Sequence, residues 1–253
     1  MKFARFVAKG HDTPVTAIVQ GDELHVIEGC MFDQWQRSGE IVPLSEAKLL
    51  APLVPTSIIG IGKNYIAPGE QKPEKLPDIP VLFYKPVSSV IGPGEAIIIP
   101  NGLDEVKFES ELAVVIGRAA RNVSEEEALD YVFGYTVGND VTAPQLFHPE
   151  GHWLVGKSAD TFTPLGPVIE TELNPDQVVI QATHNGILKQ NSPIDLIIVS
   201  VRYLISYLSR YMTLQPGDVI LTGSPAGAVM MEQGDTIECA IEGIGVLQNH
   251  VAK

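Results

Sequence analysis

The chain has 253 residues, 45% of them hydrophobic and 19% charged, enough to bury a sizeable core as one large domain with at most a small appendage. A net charge of −14 works against nucleic acid and anionic membrane surfaces as partners. Cys30 and Cys239 lie far apart and form no metal-ligand spacing, the start Met1–Val7 lacks the apolar core of a signal peptide, and no run approaches the roughly 18 apolar residues of a membrane helix, so a soluble, cytoplasmic protein is expected.

Residues 1–50 alternate short apolar strands (Lys2–Ala8, Thr16–Val19, Leu24–Ile27) with Gly and Asp turns such as Gly21-Asp22. They read as a small β subdomain without catalytic groups, closed off by Pro52 and Pro55, and residues 51–253 form the main domain. The strand Ser57–Gly62 delivers Lys63-Asn64-Tyr65 at its carboxyl end, where glycine lets a ligand approach the backbone. Residues 66–80, rich in Pro, Gly, Lys and Glu, form a loop too polar to pack, of the kind that often covers an active site. The chain re-enters the core at Val81–Pro86 and, after turns at Gly92–Glu95 and Asn101-Gly102, reaches a run that organises the rest.

That run is Phe108-Glu109-Ser110-Glu111-Leu112-Ala113-Val114-Val115-Ile116-Gly117. Its right half is apolar and β-branched, the signature of a buried strand. Glu109 and Glu111 therefore share one face, with Cα atoms about 6–7 Å apart. At an effective dielectric near 20 the two charges repel by about 2–3 kcal/mol. Protons, basic side chains or a hard cation must offset this, unless the strand is a solvated edge. A third acid comes from Phe133–Asp140, which reads as a second core strand ending on Asp140.

Between these strands, Ser124 with Glu127 predicts a capping box opening a helix from Glu125 to about Val132. A loop with His148, Glu150 and His152 follows Asp140, then Trp153–Ser158 and a Pro-Leu-Gly-Pro turn at 164–167. Val168–Glu170 and Gln177–His184 read as strands, with a hairpin turn at Asn185-Gly186. Ser192-Pro193-Ile194-Asp195 predicts a helix start, and apolar spacing carries the helix to about Met212. Two Gly-Asp turns bracket Val219–Leu221 and the loop Thr222–Gly227, before closing strands that end at Val251. Many strands, few helices and no βα alternation predict a β-rich α+β fold.

Taken together, Phe108–Gly117, Gly138-Asn139-Asp140-Val141-Thr142-Ala143, Lys157, Pro164–Pro167, Thr222-Gly223-Ser224-Pro225-Ala226-Gly227 and Ile241–Gly245 resemble, in that order, the fumarylacetoacetate hydrolase family. The resemblance covers roughly residues 56–251. It implies a mixed β-roll, usually homodimeric, with Mg²⁺, Mn²⁺ or Ca²⁺ held by Glu109, Glu111 and Asp140, and small 2-oxo or enol carboxylic acids as substrates. It further implies that Lys157 is the active-site lysine, of depressed pKa in a desolvated site, and that Thr222 and Ser224 contact substrate, alongside Lys63 and Tyr65 from the earlier strand end.

The sequence departs from the resemblance at two places. Where hydrolytic relatives carry a water-activating His and Glu, it has Pro68 and Gln71, neither of which can accept a proton at neutral pH. Where relatives grip substrate with Arg and Gln after the metal-binding Asp, it has Pro144 and Phe147. Isomerisation, tautomerisation or decarboxylation of a metal-chelated 2-oxo acid needs mainly a Lewis acid and one proton shuttle, and is the expected chemistry. The alternatives are an acylpyruvate-type C–C hydrolase drawing its base from Glu70, His148 or His152, and a metal- and oxo-acid-binding protein without turnover.

Overall fold

The computed structural model describes residues 1–10 and 12–253. The chain opens with a meander, β1 (Lys2–Ala8), β2 (Val15–Gln20), β3 (Glu23–Gly29) and β4 (Trp35–Pro43), and the short β5 (Ala47–Leu49). The sequence pattern misses β4 because only Val42 of its nine residues is buried, so no apolar alternation marks it. The middle of the chain supplies β6 (Ile58–Gly62), β7 (Val81–Lys85), β8 (Val90–Ile91), β9 (Ala96–Ile98), β10 (Ser110–Ile116) and β11 (Val132–Asn139). Then come α1 (Leu154–Lys157), β12 (Thr163–Glu170), β13 (Val179–His184), β14 (Ile187–Pro193), α2 (Val201–Tyr211), β15 (Val219–Leu221), β16 (Thr236–Ile241) and β17 (Gly245–Ala252).

The strands form two mixed sheets. The larger runs β4-β3-β2-β1-β12-β11-β10-β15-β6-β7, with β5 beside β1 and β8 beside β12, and the smaller runs β14-β13-β16-β17-β9. Pairing is antiparallel except at β15/β6, β12/β8 and β17/β9. This is the β-rich α+β architecture that the sequence predicts.

β10 lies inside the larger sheet, and every one of its residues is buried. A strand covered on both faces reads as a continuous apolar run, so the solvated-edge alternative is excluded. Leu112, Val114 and Ile116 enter one core cluster with Leu204, Ile205 and Leu208 of α2. Ala113 and Val115, on the opposite face, enter a second cluster with Ile58, Leu165, Val219 and Leu221. At roughly 1.5–3 kcal/mol per buried aliphatic side chain, this packing outweighs the cost of carrying two carboxylates at the strand's start.

Two predicted helices are corrected. The residues Ser192 and Pro193 belong to β14, because they pair with Ile180 and Val179 of β13. Hairpin pairing absorbs the local capping signal, and only a 3-10 turn, Ile194–Leu196, follows. The helix starts instead at Ser200, whose hydroxyl accepts from Tyr203 N at 3.1 Å. The Ser124–Glu127 bonds form, at 3.0 and 3.3 Å. They open only a turn and a 3-10 helix, Ala128–Tyr131, because β11 begins at Val132.

Candidate metal centre and active site

Antiparallel pairing of β10 with β11 sets Ser110 opposite Asn139, and Asp140 N donates to Glu109 O at 2.8 Å. The register thereby brings the end of one strand beside the start of the other. One carboxylate oxygen from each of Glu109, Glu111 and Asp140 lies within 4.8 Å of the other two. Glu111 and Asp140 are almost completely buried, at 2% and 1% exposure.

Lysines surround this trio. Lys157, the last residue of α1, places Nζ 2.7 Å from Glu109 Oε2 and also donates to Asp140 Oδ2. Lys85, at the end of β7, sends Nζ to Asp140 Oδ1 at 2.7 Å and to the carbonyl oxygens of Lys157 (2.6 Å) and Val141 (3.2 Å). Lys107 Nζ is 2.7 Å from Glu109 Oε1. Glu111 has no ion pair among the described residues and accepts a backbone hydrogen bond from Gly223 N at 2.7 Å.

The charges titrate accordingly. Burial, and then the Asp140 charge, push the Glu111 carboxyl well above the usual range. Burial acts in the same direction on Asp140, but Lys157 and Lys85 outweigh it and hold that carboxyl low. Burial alone would lower Lys157; the Asp140 and Glu109 carboxylates outweigh it and raise the ammonium pKa, which corrects the predicted depression. Lys85 is lowered, because its complete burial outweighs Asp140.

Three hard oxygen donors, one of them a buried carboxylate with no cation of its own, suit Mg²⁺, Mn²⁺ or Ca²⁺. The trio opens into a cavity of about 240 Å³ whose lining also includes Lys63, Lys107, Lys157, Phe147, Trp153 and Ser224. Phe147 stacks on Trp153, with ring centroids 5.3 Å apart and planes at 12°. A larger groove of about 790 Å³ behind α1 is lined mostly by apolar groups such as Leu146, Leu154 and Val155, and Lys85 is its one ionisable group apart from Tyr84. The smaller cavity therefore holds the groups that can do chemistry.

The sequence-predicted residues divide between these surroundings. Glu109, Glu111, Asp140, Lys157, Lys63 and Ser224 come together in the cavity. Ser224 Oγ accepts from Gln190 Nε2 at 2.8 Å. Tyr65 does not line the cavity, but its hydroxyl is buried without a hydrogen-bond partner, and its pKa is raised first by burial and then by Glu111. Thr222 is fully buried and its hydroxyl donates to Leu112 O at 2.9 Å, so it ties β15 to β10. Glu70 lies with Pro68 in a separate cavity of about 320 Å³ bounded by Asn191 and Pro225. His148 and His152 are exposed, face each other with ring centroids 5.7 Å apart, and do not line the metal cavity.

Sequence reasoning misses Lys85, Lys107, Trp153 and the Gly223 amide. Lys85 shares strand parity with buried Phe83, while Tyr84 between them is exposed, and that inward register is its signal. Lys107 has the parity of Glu109. Gly223 leaves no local mark beyond glycine itself: at φ 99°, a Cβ there would lie 2.8 Å from Asn64 Cβ.

Fold and site together define a β-rich enzyme scaffold with an acidic triad suited to a divalent ion, and the comparisons give it a family. The chain belongs to the fumarylacetoacetate hydrolase family: residues 57–252 match its fumarylacetoacetate (FAA) hydrolase C-terminal model, and residues 1–52 match a model described as Rv2993c-like, N-terminal. It is an enzyme of this family. It is 40% identical to a mitochondrial oxaloacetate tautomerase of Xenopus laevis, over 83% of this chain and 70% of that protein. The crystal structure of 5-carboxymethyl-2-hydroxymuconate delta-isomerase from Mycobacterium smegmatis superposes with a TM-score of 0.92 at 38% identity, covering 100% of this chain and 99% of that one. A maleylpyruvate hydrolase from Sphingobium sp. SYK-6, solved with manganese(II) and pyruvate, has a TM-score of 0.81 at 28% identity, covering 100% and 99%.

Proposed function

We propose that this chain is a divalent-metal-dependent isomerase or tautomerase of small 2-oxo and enol carboxylic acids. One observation carries the reading. Three carboxylates and the Lys157 ammonium converge on one small cavity, while Glu70, His148 and His152 stand outside it. Moving a proton between carbon and oxygen needs charge stabilisation and a proton carrier, whereas C–C hydrolysis also needs a base on water. The names of the Xenopus laevis and Mycobacterium smegmatis relatives support the same choice.

Glu109, Glu111 and Asp140 would hold Mg²⁺ or Mn²⁺. When bound, the ion supplies a Lewis acid that stabilises an enolate. Lys157 carries its protons at Nζ, fixed by Glu109 and Asp140, and offers one to negative charge developing on a substrate oxygen. Lys85 holds Asp140 from behind and keeps α1 in place through Lys157 O. Ser224 donates only at 3.5 Å, to Pro225 O, so its proton is available to a ligand. Phe147 and Trp153 exclude water from one wall. Residues 1–50 serve as a β subdomain without catalytic groups, the chain works in the cytoplasm, and it acts as a homodimer.

The test is enol absorbance of oxaloacetate with purified protein and Mn²⁺. Acceleration of keto–enol exchange that disappears in Lys157→Met is expected. Release of pyruvate from acylpyruvates, without any effect on enol absorbance, would overturn the reading in favour of hydrolysis.

A further inference from the structure

His148-Pro149-Glu150-Gly151-His152 is a turn with an imidazole at each end. Proline in its second position and glycine in its fourth favour it, and Gly151, at φ 91°, takes the left-handed backbone that closes it. Gly151 N donates to His148 O at 2.9 Å, and His148 N donates to His152 O at 3.0 Å. The two rings are thereby brought together at the surface, exposed, with centroids 5.7 Å apart and planes at 51°. Glu150 N donates to His148 Nδ1 at 3.2 Å, an exposed bond at the long end of the range, so giving it up for a stronger ligand costs little. His25 and His184, by contrast, already pair with Glu23 and Asp235.

We propose that His148 and His152 form a second metal site, for nitrogen-seeking divalent ions such as Zn²⁺, and that the bound ion clasps the turn carrying the aromatic wall. Two imidazoles sharing one tetrahedral Zn²⁺ at about 2.0–2.1 Å have ring centroids roughly 5 Å apart, so a small rotation of the rings closes the observed spacing. The remaining positions face solvent and take water. Imidazole suits Zn²⁺, Cu²⁺ and Ni²⁺, whereas the all-oxygen trio of Glu109, Glu111 and Asp140 suits harder ions, so the two sites sort cations by ligand type. The inference stands on the geometry of the turn and does not need the cavity to process 2-oxo acids.

The two histidines adjoin Phe147 and Trp153 in the chain, whose stacked rings line the cavity. Each ring is backed by a glycine: a Cβ at Gly156 would lie 2.6 Å from Phe147 Cδ1, and one at Gly62 would lie 1.9 Å from the Trp153 ring. On the solvent side the turn is held by hydrogen bonds within itself. An ion bridging His148 and His152 ties the flanks of the stacked pair together and opposes any parting of the wall.

The probe is Zn²⁺, titrated by calorimetry into the untagged chain in saturating Mg²⁺. One zinc per chain is expected to bind, with affinity that falls at least about tenfold in His148→Ala and in His152→Ala. Both variants are exposed changes and should keep the wild-type melting temperature and Mg²⁺ affinity. Acrylamide quenching of Trp153, read in Trp35→Phe so that it is the sole tryptophan, should fall as zinc binds. No zinc uptake in the presence of Mg²⁺ would overturn the proposal. Zinc retained by both histidine variants and lost in Glu111→Gln would do the same, by placing the ion among the carboxylates. Quenching that ignores bound zinc would overturn the clasp.

Discussion

Glu111 is a buried carboxylate whose hydrogen bond comes from a backbone amide, with the nearby Lys157 charge as its cationic support. In Glu111→Gln the side chain can still accept from Gly223 N–H while the charge is gone. Mn²⁺ affinity measured by calorimetry is expected to fall by at least the roughly 10–100-fold that changes in supporting residues cost. The metal-free melting temperature should instead rise, by about 2–4 °C per kcal/mol of relieved desolvation. Unchanged Mn²⁺ affinity would remove Glu111 from the proposed ligand set. Lys85 presents the opposite case. Lys85→Met leaves Asp140 short of its rear partner, and a loss of about 3–5 kcal/mol is expected from the denaturant midpoint. The three acids are legible in the sequence because charge inside an apolar strand is conspicuous. Lys85 is not, because one lysine at the end of a strand looks like any solvated strand end until its parity with Phe83 is known.

At the scale of elements, α2 and β14 show where local signals lose. Ser192-Pro193-Ile194-Asp195 is as good a helix start as Ser200, and nothing nearby in the sequence separates them. Pairing of Ser192 with Ile180 on β13 separates them. Ser200→Ala is therefore expected to cost about 1 kcal/mol by denaturation, as a helix cap does. Ser192→Ala, with its hydroxyl engaged only at 3.3 Å to Pro193 O, should stay within about 0.5 kcal/mol. The end of β6 is less forgiving. A Cβ at Gly62 would lie 1.9 Å from the Trp153 ring, so Gly62→Ala must displace that ring from the cavity wall. A shift in tryptophan emission with reduced turnover is expected, and an unshifted spectrum would contradict the packing. The strands carrying the acids were legible from apolar runs; β4, exposed almost throughout, offered no such run.

Across the whole molecule, the N-terminal meander joins the rest of the larger sheet through β1 and β12, reinforced where the Met1 ammonium meets Glu170 at 2.9 Å. Burial would raise the Glu170 carboxyl, but the Glu172 amide and the N-terminal ammonium hold it below its ordinary 4.5. A depressed acid contributes stability above its unfolded pKa and loses it as pH falls through the folded value. Stability measured from about pH 5 downward should fall less steeply in Glu170→Gln than in wild type.

The larger sheet also runs against the order of the chain. β15, made of residues 219–221, lies between β10 and β6, so the strand bearing Lys63 reaches the strand bearing the acids only across a segment from the last part of the sequence. A ribosome must therefore release nearly the entire polypeptide before Gly223 can meet Glu111. The amide that receives this glutamate is thus among the last parts to be synthesised, long after all three acids have been made.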